Sequence, residues 1–174
     1  MKHIILMVED SDDDAMLIGR RLEEQMGEPL SLSRQSTLRD ACVFIEERKG
    51  DIRLILLDLG LPDTPGMEET FRRLQEYSAE IPIVVLTGTD DHDLAVRIIG
   101  SGAQNFINKD HIIDRPQLLR DAIDFAVSAH QRATEMRKKA TEQLAEKDMV
   151  INWMAGGYSV PPQSSAPGPE NKMK

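Results

Sequence analysis

Five polar residues follow short apolar runs of the chain, each at the place where a run ends. Glu9 and Asp10 follow the first run, Asp58 follows LILL, Thr87 follows IVVL, and Lys109 follows NFIN. If these runs are parallel strands of one sheet, their carboxyl ends lie at the same edge, where doubly wound folds bind ligands. The sequence therefore predicts one site with three carboxylates, one hydroxyl and one ammonium group.

These side chains predict a magnesium-dependent site for phosphoryl chemistry. Three carboxylates in one small site repel one another unless a cation lies between them. Mg²⁺ suits such a site because it accepts carboxylate, water and phosphate oxygens as ligands. Thr87 and Lys109 suit phosphate oxygens, the first by a hydrogen bond and the second as a point charge. Asp58 would then be a nucleophile towards phosphorus, and its product would be an acyl phosphate.

The acidic residues 12–14 have a simpler explanation, because acidic side chains in the first turn of a helix are stabilised by the helix dipole. We interpret them in that way. Thr87 and Lys109, taken singly, would also be ordinary loop residues. Suitable residues at four strand ends, in the right order, favour the functional interpretation of the site.

The strands that must position this site are visible as apolar, β-branched runs bounded by turn residues. Helical patterns separate them, and a fifth helix is predicted to begin near Asp114 with Pro116 in its first turn. Strands that alternate with helices predict an α/β fold, a doubly wound parallel sheet covered on both faces. The predicted strands are three clear ones at 3–8, 52–57 and 81–86, and two weaker ones at 30–33 and 105–108.

The chain beyond this domain is predicted to be one long helix. Residues 129–155 are rich in helix formers, and no Gly or Pro interrupts them before Gly156. An apolar cluster lies at 150–154, and the segment 156–174 is predicted to be disordered because it is rich in Gly, Pro and Ser. Two heptad seams can be drawn, each with two polar members, so that neither predicts a strong coiled coil. They run through 133, 136, 140, 143, 147, 150 and 154, or through 133, 137, 140, 144, 147, 151 and 154.

Composition excludes several classes of protein. The net charge of -9 and a pI near 4.9 argue against a nucleic-acid-binding surface, which is normally basic. The single Cys42 excludes an internal disulfide framework and suits a reducing compartment. The apolar run at the N-terminus is too short for a signal peptide or a membrane span. A cytoplasmic protein without a membrane partner is therefore expected.

Four segments together resemble the receiver domains of two-component response regulators, the CheY-like family. They are MVEDSDDD, LILLDLGLPDTPG, VVLTG and GAQNFINKD, within residues 3–110, and the helix to about residue 128 completes the domain. The resemblance implies a flavodoxin-like, five-stranded parallel sheet in the order 2-1-3-4-5. It also implies a receiver domain at 1–128. The helical extension at 129–155, a candidate coiled coil, follows this domain.

The resemblance also implies roles for individual residues. Asp58 would accept a phosphoryl group from a sensor histidine kinase or a phosphotransfer protein. Mg²⁺ would be bound by Glu9, Asp10, Asp58 and the backbone carbonyl of Gly60, with Glu9 in place of the commoner Asp. Thr87 and Lys109 would bind the phosphoryl oxygens. The switch residues would be Thr87 and Phe106, the latter more often Tyr in the family. A core aromatic is the simpler interpretation of Phe106, and both can hold.

Three classes of function remain open at this point. A phosphorylation-switched binding module, with slow self-dephosphorylation and an unknown downstream protein, is the leading hypothesis. An Mg²⁺-dependent phosphatase would place an acid/base Asp two residues beyond the nucleophile, and Gly60 stands there instead. A dimerisation or scaffold protein would act through the long helix. No output domain is recognisable after residue 130, so we expect either a single-domain regulator or a piece that ends before such a domain.

Overall fold

The protein is an α/β fold built on one parallel sheet. The computed structural model describes residues 3–26 and 31–154, and the side chains of the same residues except 150 and 152–154. Five strands lie in the order β2-β1-β3-β4-β5, and all neighbouring pairs are parallel, which confirms the predicted flavodoxin-like sheet. The strands are β1 Ile4–Val8, β2 Ser31–Gln35, β3 Ile52–Asp58, β4 Ile83–Thr87 and β5 Asn105–Asn108.

Helices cover both faces of the sheet, which is why the central strands are apolar without alternation. In β3, Leu54 and Leu56 belong to one buried cluster, whereas Ile55 and Leu57 belong to the other. The first cluster packs under α1 and the N-terminal part of α6, and the second packs under α2, α3 and α4. The helices are α1 Asp12–Met26, α2 Leu38–Arg48, α3 Met67–Tyr77, α4 His92–Gly100, α5 Lys109–Asp114 and α6 Gln117–Met154.

The chain after β5 differs from the sequence prediction, which had one helix begin near Asp114. A short helix, α5, comes first, because the side chain of Asn108 caps it by accepting a hydrogen bond from the Asp110 N–H at 2.8 Å. Pro116 disfavours helical geometry at the residue before it. Arg115 accordingly leaves the helical region, with φ -136 and ψ 73, and α6 begins after the proline.

The predicted extended C-terminal helix is present as α6. The chain divides into two compact units after Thr134, so that the first unit holds the sheet and the second holds the remainder of the chain. In the second unit, all described side chains of α6, at 135–149 and 151, are exposed. Most of the predicted apolar cluster at 150–154 and all of the segment 156–174 lie outside the described side chains, and the predicted boundary at residue 128 stays a prediction.

None of the helices within the described ranges is long and apolar enough to cross a membrane.

Candidate functional site

The five predicted site residues lie at the carboxyl edge of the sheet. Glu9 and Asp10 follow β1, Asp58 is the last residue of β3, Thr87 is the last residue of β4, and Lys109 follows β5 directly. Parallel pairing aligns these ends, since Val8 lies opposite Leu57, Asp58 opposite Leu86, and Thr87 opposite Asn108. Residues up to 100 positions apart therefore meet at one edge. We call this group the acidic rim.

Lys109 is the cation at the centre of the rim. Its Nζ atom lies 2.7 Å from Glu9 Oε2, 2.8 Å from Asp14 Oδ2 and 3.0 Å from Asp58 Oδ2. The contacts with Asp14 and Asp58 are hydrogen bonds, whereas the contact with Glu9 is an ion pair. Burial lowers the pKa of Lys109, but its contacts with the Asp14, Glu9 and Asp58 carboxylates outweigh this and raise that pKa above its usual value of 10.5. Lys109 is therefore charged throughout the physiological pH range.

Glu9 is the most deeply buried acid of the rim, with only 1% of its surface exposed. Its Oε1 atom accepts a hydrogen bond from the Ser11 N–H at 3.2 Å. Burial raises the pKa of Glu9 above 4.5, and the nearby charge of Asp58 adds to this, although Lys109 works against both. A buried carboxylate with a raised pKa has too little positive charge around it, which favours the arrival of another cation.

The rim fits a hard divalent cation. One carboxylate oxygen from each of Glu9, Asp10 and Asp58 can be chosen so that all three lie within 4.8 Å of one another. Carboxylate oxygens are the ligands that Mg²⁺ prefers, and exposed Asp10 leaves the group open to water. The N–H of Gly60 donates to Asp58 Oδ1 at 3.1 Å, which orients the carboxylate. The role of the Gly60 carbonyl as a metal ligand stays a prediction.

Thr87 and Phe106 lie on the neighbouring strands β4 and β5. Thr87 is buried, and its hydroxyl accepts a hydrogen bond from the Thr89 N–H at 3.3 Å. Phe106 is half-buried, lies opposite Val85 and packs against the cluster under α2, α3 and α4. The core interpretation of Phe106 therefore has support, and its switch role stays a prediction.

The sequence did not predict two further residues of this region. Asp14, interpreted as part of a helix start, does lie in the first turn of α1 but also contacts Lys109. Arg34 of β2 donates from Nε to the Glu9 carbonyl and from Nη2 to the Asp10 carbonyl, both at 2.9 Å. It also pairs with Asp12 at 2.6 Å. No local pattern separates Asp14 from its acidic neighbours or marks Arg34, since Asp10 lies in the loop before α1 and shares no helix face with Asp14.

Further hydrogen bonds hold the loops around the rim. Asp63, in the loop after β3, accepts hydrogen bonds at 3.0 Å from the backbone N–H groups of Leu38 and Arg39, at the start of α2. The side-chain amide of Asn108 donates to Asp90, in the loop after β4. Each loop is therefore tied to a neighbouring element, which limits the movement of Asp58 and Thr87.

Comparison with known proteins agrees with this geometry. A family model described as the response regulator receiver domain matches residues 5–124. The methanogenesis regulatory protein FilR1 of Methanothrix harundinacea is 30% identical over 121 residues, which are 68% of this chain and 27% of that protein. The regulatory protein LuxO of Vibrio cholerae is 38% identical over 109 residues, which are 63% of this chain and 23% of that protein. The chain thus spans only about a quarter of these relatives.

Solved structures show the same architecture. The signal receiver domain of a Luxo repressor protein from Vibrio parahaemolyticus aligns with a TM-score of 0.65 and 26% identity, covering 78% of this chain and 98% of that one. The Mn²⁺-bound form of response regulator Rcp1 aligns with a TM-score of 0.57 and 25% identity, covering 68% of this chain and 90% of that one.

Proposed function

Because this chain belongs to the response regulator receiver family, we propose that it accepts a phosphoryl group on Asp58 from a sensor histidine kinase or a phosphotransfer protein. One observation carries the proposal: the Asp58 carboxylate lies 3.0 Å from the Lys109 ammonium, beside two further carboxylates that suit a divalent cation. A nucleophile, a fixed cation and a metal-ion site are what phosphoryl transfer needs.

The chain's own residues account for most of the transfer. An oxygen of Asp58 attacks the phosphorus, the bond to the donor nitrogen breaks, and an acyl phosphate forms on Asp58. Lys109 already points at this carboxylate and would bind a phosphoryl oxygen as a charge-assisted donor. The Thr87 hydroxyl would bind a second one. Bound Mg²⁺, held by Glu9, Asp10 and Asp58, would neutralise charge on the transferred group.

The output would be a change in protein binding. Phosphorylation would draw the Thr87 hydroxyl towards Asp58 and let Phe106 move inward. The neighbouring surface of α4 and β5 would then change shape, a local charge event that biases a two-state element. The half-buried position of Phe106 supports this, since a fully packed ring could not move without disrupting the core. An unknown downstream protein would read the change.

The proposal includes no turnover of external substrates. Apart from slow loss of its own phosphoryl group, the protein would need no catalytic base, which agrees with Gly60 at the position where a phosphatase of this kind has its acid/base Asp. A cytoplasmic location forms part of the proposal, because the phosphodonor and the single thiol of Cys42 both suit a reducing compartment.

A second candidate function rests on α6. Its described side chains at 135–149 are all exposed, and an isolated helix of this length is barely stable in water without packing. We propose that this part of the helix joins two subunits into a homodimer. A scaffold protein that acts through the helix alone, without phosphorylation, is the alternative that experiment must separate.

The test is direct labelling of the full chain. Incubation with acetyl phosphate and Mg²⁺ should add one phosphate, measured by intact mass, and the Asp58→Asn variant should remain unlabelled. Asp13→Asn is the matched control, since it removes an exposed acid from the first turn of α1. Equal labelling of Asp58→Asn and wild-type protein would refute Asp58 as the acceptor. If neither the wild-type protein nor the Asp58→Asn variant is labelled and both still dimerise, the scaffold function would be favoured.

A further inference from the structure

Four apolar side chains and one lysine of the second unit form a stripe along α6, whereas exposed Met149 lies on the opposite face of the helix. The helix turns 100° per residue, so Met136, Ala140, Leu144, Lys147 and Ile151 lie within an arc of about 80°. We call these five residues the α6 stripe. Met136 is 71% exposed, and Leu144 and Ile151 are each 63% exposed. Three large apolar side chains in line on one exposed helix indicate a surface that another helix covers.

The charges beside the stripe are arranged unevenly. On one flank, about 60–80° from the centre of the stripe, Arg137 precedes Asp148 by eleven residues. On the other flank, about 100–120° from the centre, Lys139 precedes Glu146 by seven residues. Each flank is therefore basic towards its N-terminal end and acidic towards its C-terminal end. The midpoints of both pairs coincide, between residues 142 and 143. If a second copy of the helix is rotated by 180° about this midpoint, each basic residue of one copy lies opposite an acidic residue of the other. The surface is therefore complementary to itself.

From this pattern we propose that α6 pairs with α6 of a second copy of the chain in antiparallel orientation. The two-fold axis passes between residues 142 and 143. Lys139 then faces Glu146 of the partner subunit, and Arg137 faces Asp148 of the partner subunit. This proposal rests on the dimer proposed above and adds the orientation and the residues that pair.

The apolar stripe fits the same axis. Ala140 packs against Leu144 of the partner subunit, so a small residue lies opposite a large one, as in well-packed cores. Lys147, the one charged member of the stripe, lies beside Met136 of the partner subunit and can extend past it into water. A parallel, in-register pair would instead place Lys147 against Lys147 of the partner subunit, and like charges in contact are destabilising.

The apolar stripe and the flanking charges contribute differently to the proposed dimer. Exposed ion pairs add little affinity, because water and salt screen them. They do penalise the wrong orientation, since like charges would then meet. The stripe therefore supplies the contact area, and the flanking charges favour the antiparallel orientation of the two helices over the parallel one.

Disulfide trapping distinguishes the two orientations in the full chain, with Cys42→Ala as the background. In the antiparallel pair, positions 140 and 144 of opposite subunits differ by about 1.5 Å along the axis, from the helical rise per residue. Position 144 lies about 4.5 Å along the axis from its copy in the other subunit, and position 140 lies about 7.5 Å from its copy. An axial separation of about 7.5 Å, together with the distance between the two helix axes, places the two Cα atoms of position 140 farther apart than the roughly 7 Å that a disulfide can bridge.

We therefore expect a mixture of Ala140→Cys and Leu144→Cys proteins to form the mixed dimer on mild oxidation, measured by intact mass. Ala140→Cys alone should stay uncross-linked. Efficient cross-linking of Ala140→Cys with itself would show a parallel pair and overturn the orientation. A dimer without either cross-link would overturn this interface, and a monomer at all concentrations in sedimentation would overturn the dimer itself.

Charge reversal tests the same pairing without cysteine. Lys139→Glu should weaken the dimer at least about fivefold, because the change occurs twice in a symmetric pair and turns attraction into repulsion. Adding Glu146→Lys in the same chain should restore wild-type affinity to within about twofold. Lys138→Glu is the matched control, since Lys138 points about 160° away from the centre of the stripe. Equal weakening by Lys138→Glu, or no rescue by the double change, would overturn the pairing.

These outcomes are separate from those of the phosphorylation test, because Asp58 is unchanged in all of these variants. Normal cross-linking of a chain that cannot be labelled would refute the phosphoacceptor and leave the antiparallel dimer standing. Normal labelling of a strictly monomeric chain would do the reverse.

Discussion

The acidic rim and the exposed part of α6 contain the same kinds of charged residues in opposite environments. In the rim, Lys109 Nζ lies within 3.0 Å of three carboxylates, and Glu9 is almost completely buried. In α6, the charged residues from 135 to 148 are exposed to water. Charges at such short range in a partly dry site interact strongly, whereas exposed ones are screened.

Burial therefore distinguishes the proposed chemical site from the proposed recognition surface of this protein. The rim cannot lose one charge without leaving others unbalanced, so a phosphoryl group or a metal ion bound there would have a large effect. The helix can lose one charge with little cost to its own stability, so its charges suit the choice of a partner's orientation. Removing matched residues from each region tests this difference.

The largest effect should come from Lys109. We expect Lys109→Met to slow phosphorylation by acetyl phosphate by roughly ten- to a hundredfold, because a hydrogen bond to a charged group contributes about 1.5–3 kcal/mol. Lys138→Met, which removes a lysine from exposed α6, should leave the rate unchanged. The rate of mass gain at saturating Mg²⁺ measures both. Similar rates for wild type and Lys109→Met would mean that this ammonium does not contact the transferred group.

The next effect concerns the metal. Asp10→Asn should weaken Mg²⁺ binding by about tenfold or more, since one carboxylate at about 4 Å from a cation contributes several kcal/mol at an effective dielectric of about 20. Glu142→Gln, in exposed α6, should not change it. Calorimetric or fluorescence titration of the unphosphorylated protein measures the affinity. Undiminished affinity in Asp10→Asn would rule out this residue as a ligand.

A smaller effect is expected from Asp14, which holds one donor of Lys109 at 2.8 Å. Without the negative charge on this acceptor, the ammonium group is less well oriented towards Asp58. Asp14→Asn should therefore slow phosphorylation about three- to tenfold, because a charge-assisted hydrogen bond on a partly exposed residue becomes a weaker neutral one. Simple removal of negative charge would instead make the rim more attractive to a phosphodonor. The direction of the change in rate therefore decides between the two effects.

Asp13→Asn is the control for that measurement, because it removes the same charge from the same helix turn. A faster reaction in Asp14→Asn, or an equal slowing in both variants, would contradict an orienting role for Asp14.

The smallest effect is on stability and depends on pH. Burial raises the pKa of Glu9 above 4.5, so between that value and the raised one the folded protein binds more protons than the unfolded chain. The free energy of unfolding therefore falls as pH rises through this window. The Gln side chain of the Glu9→Gln variant is neutral at every pH, so the free energy of unfolding of this variant does not fall for this reason. In EDTA, the variant should gain stability relative to wild type as pH rises from about 4.5.

Urea unfolding across a pH series measures this gain. Exposed Glu142→Gln should show no such pH-dependent difference from wild type. A Glu9→Gln variant that loses stability relative to wild type as pH rises would mean that the pKa of Glu9 is lowered in the folded protein.

Strands that lie in the centre of the sheet were readable from the sequence, because burial on both faces demands continuous apolar residues. The run predicted at 3–8 is β1, and the run predicted at 52–57 is β3, extended by Asp58. The weak candidate at 105–108 is β5, an edge strand. The run predicted at 81–86 begins later, at Ile83, and Pro82, which has no N–H to donate to a sheet, comes directly before it. Edge strand β2, predicted to end at residue 33, continues to Gln35, because its partly exposed side chains give a weaker pattern.

By itself the sequence determined which residues meet at the rim, because the carboxyl ends of parallel strands must share one edge. Only the tertiary structure decided that Asp14 and Arg34 join them. The contact of Asp14 with Lys109 spans 95 positions, and the contacts of Arg34 depend on the register of β2 beside β1. Strand ends follow from local pattern, whereas a side-chain contact of about 3 Å depends on how the elements pack, which no local pattern encodes.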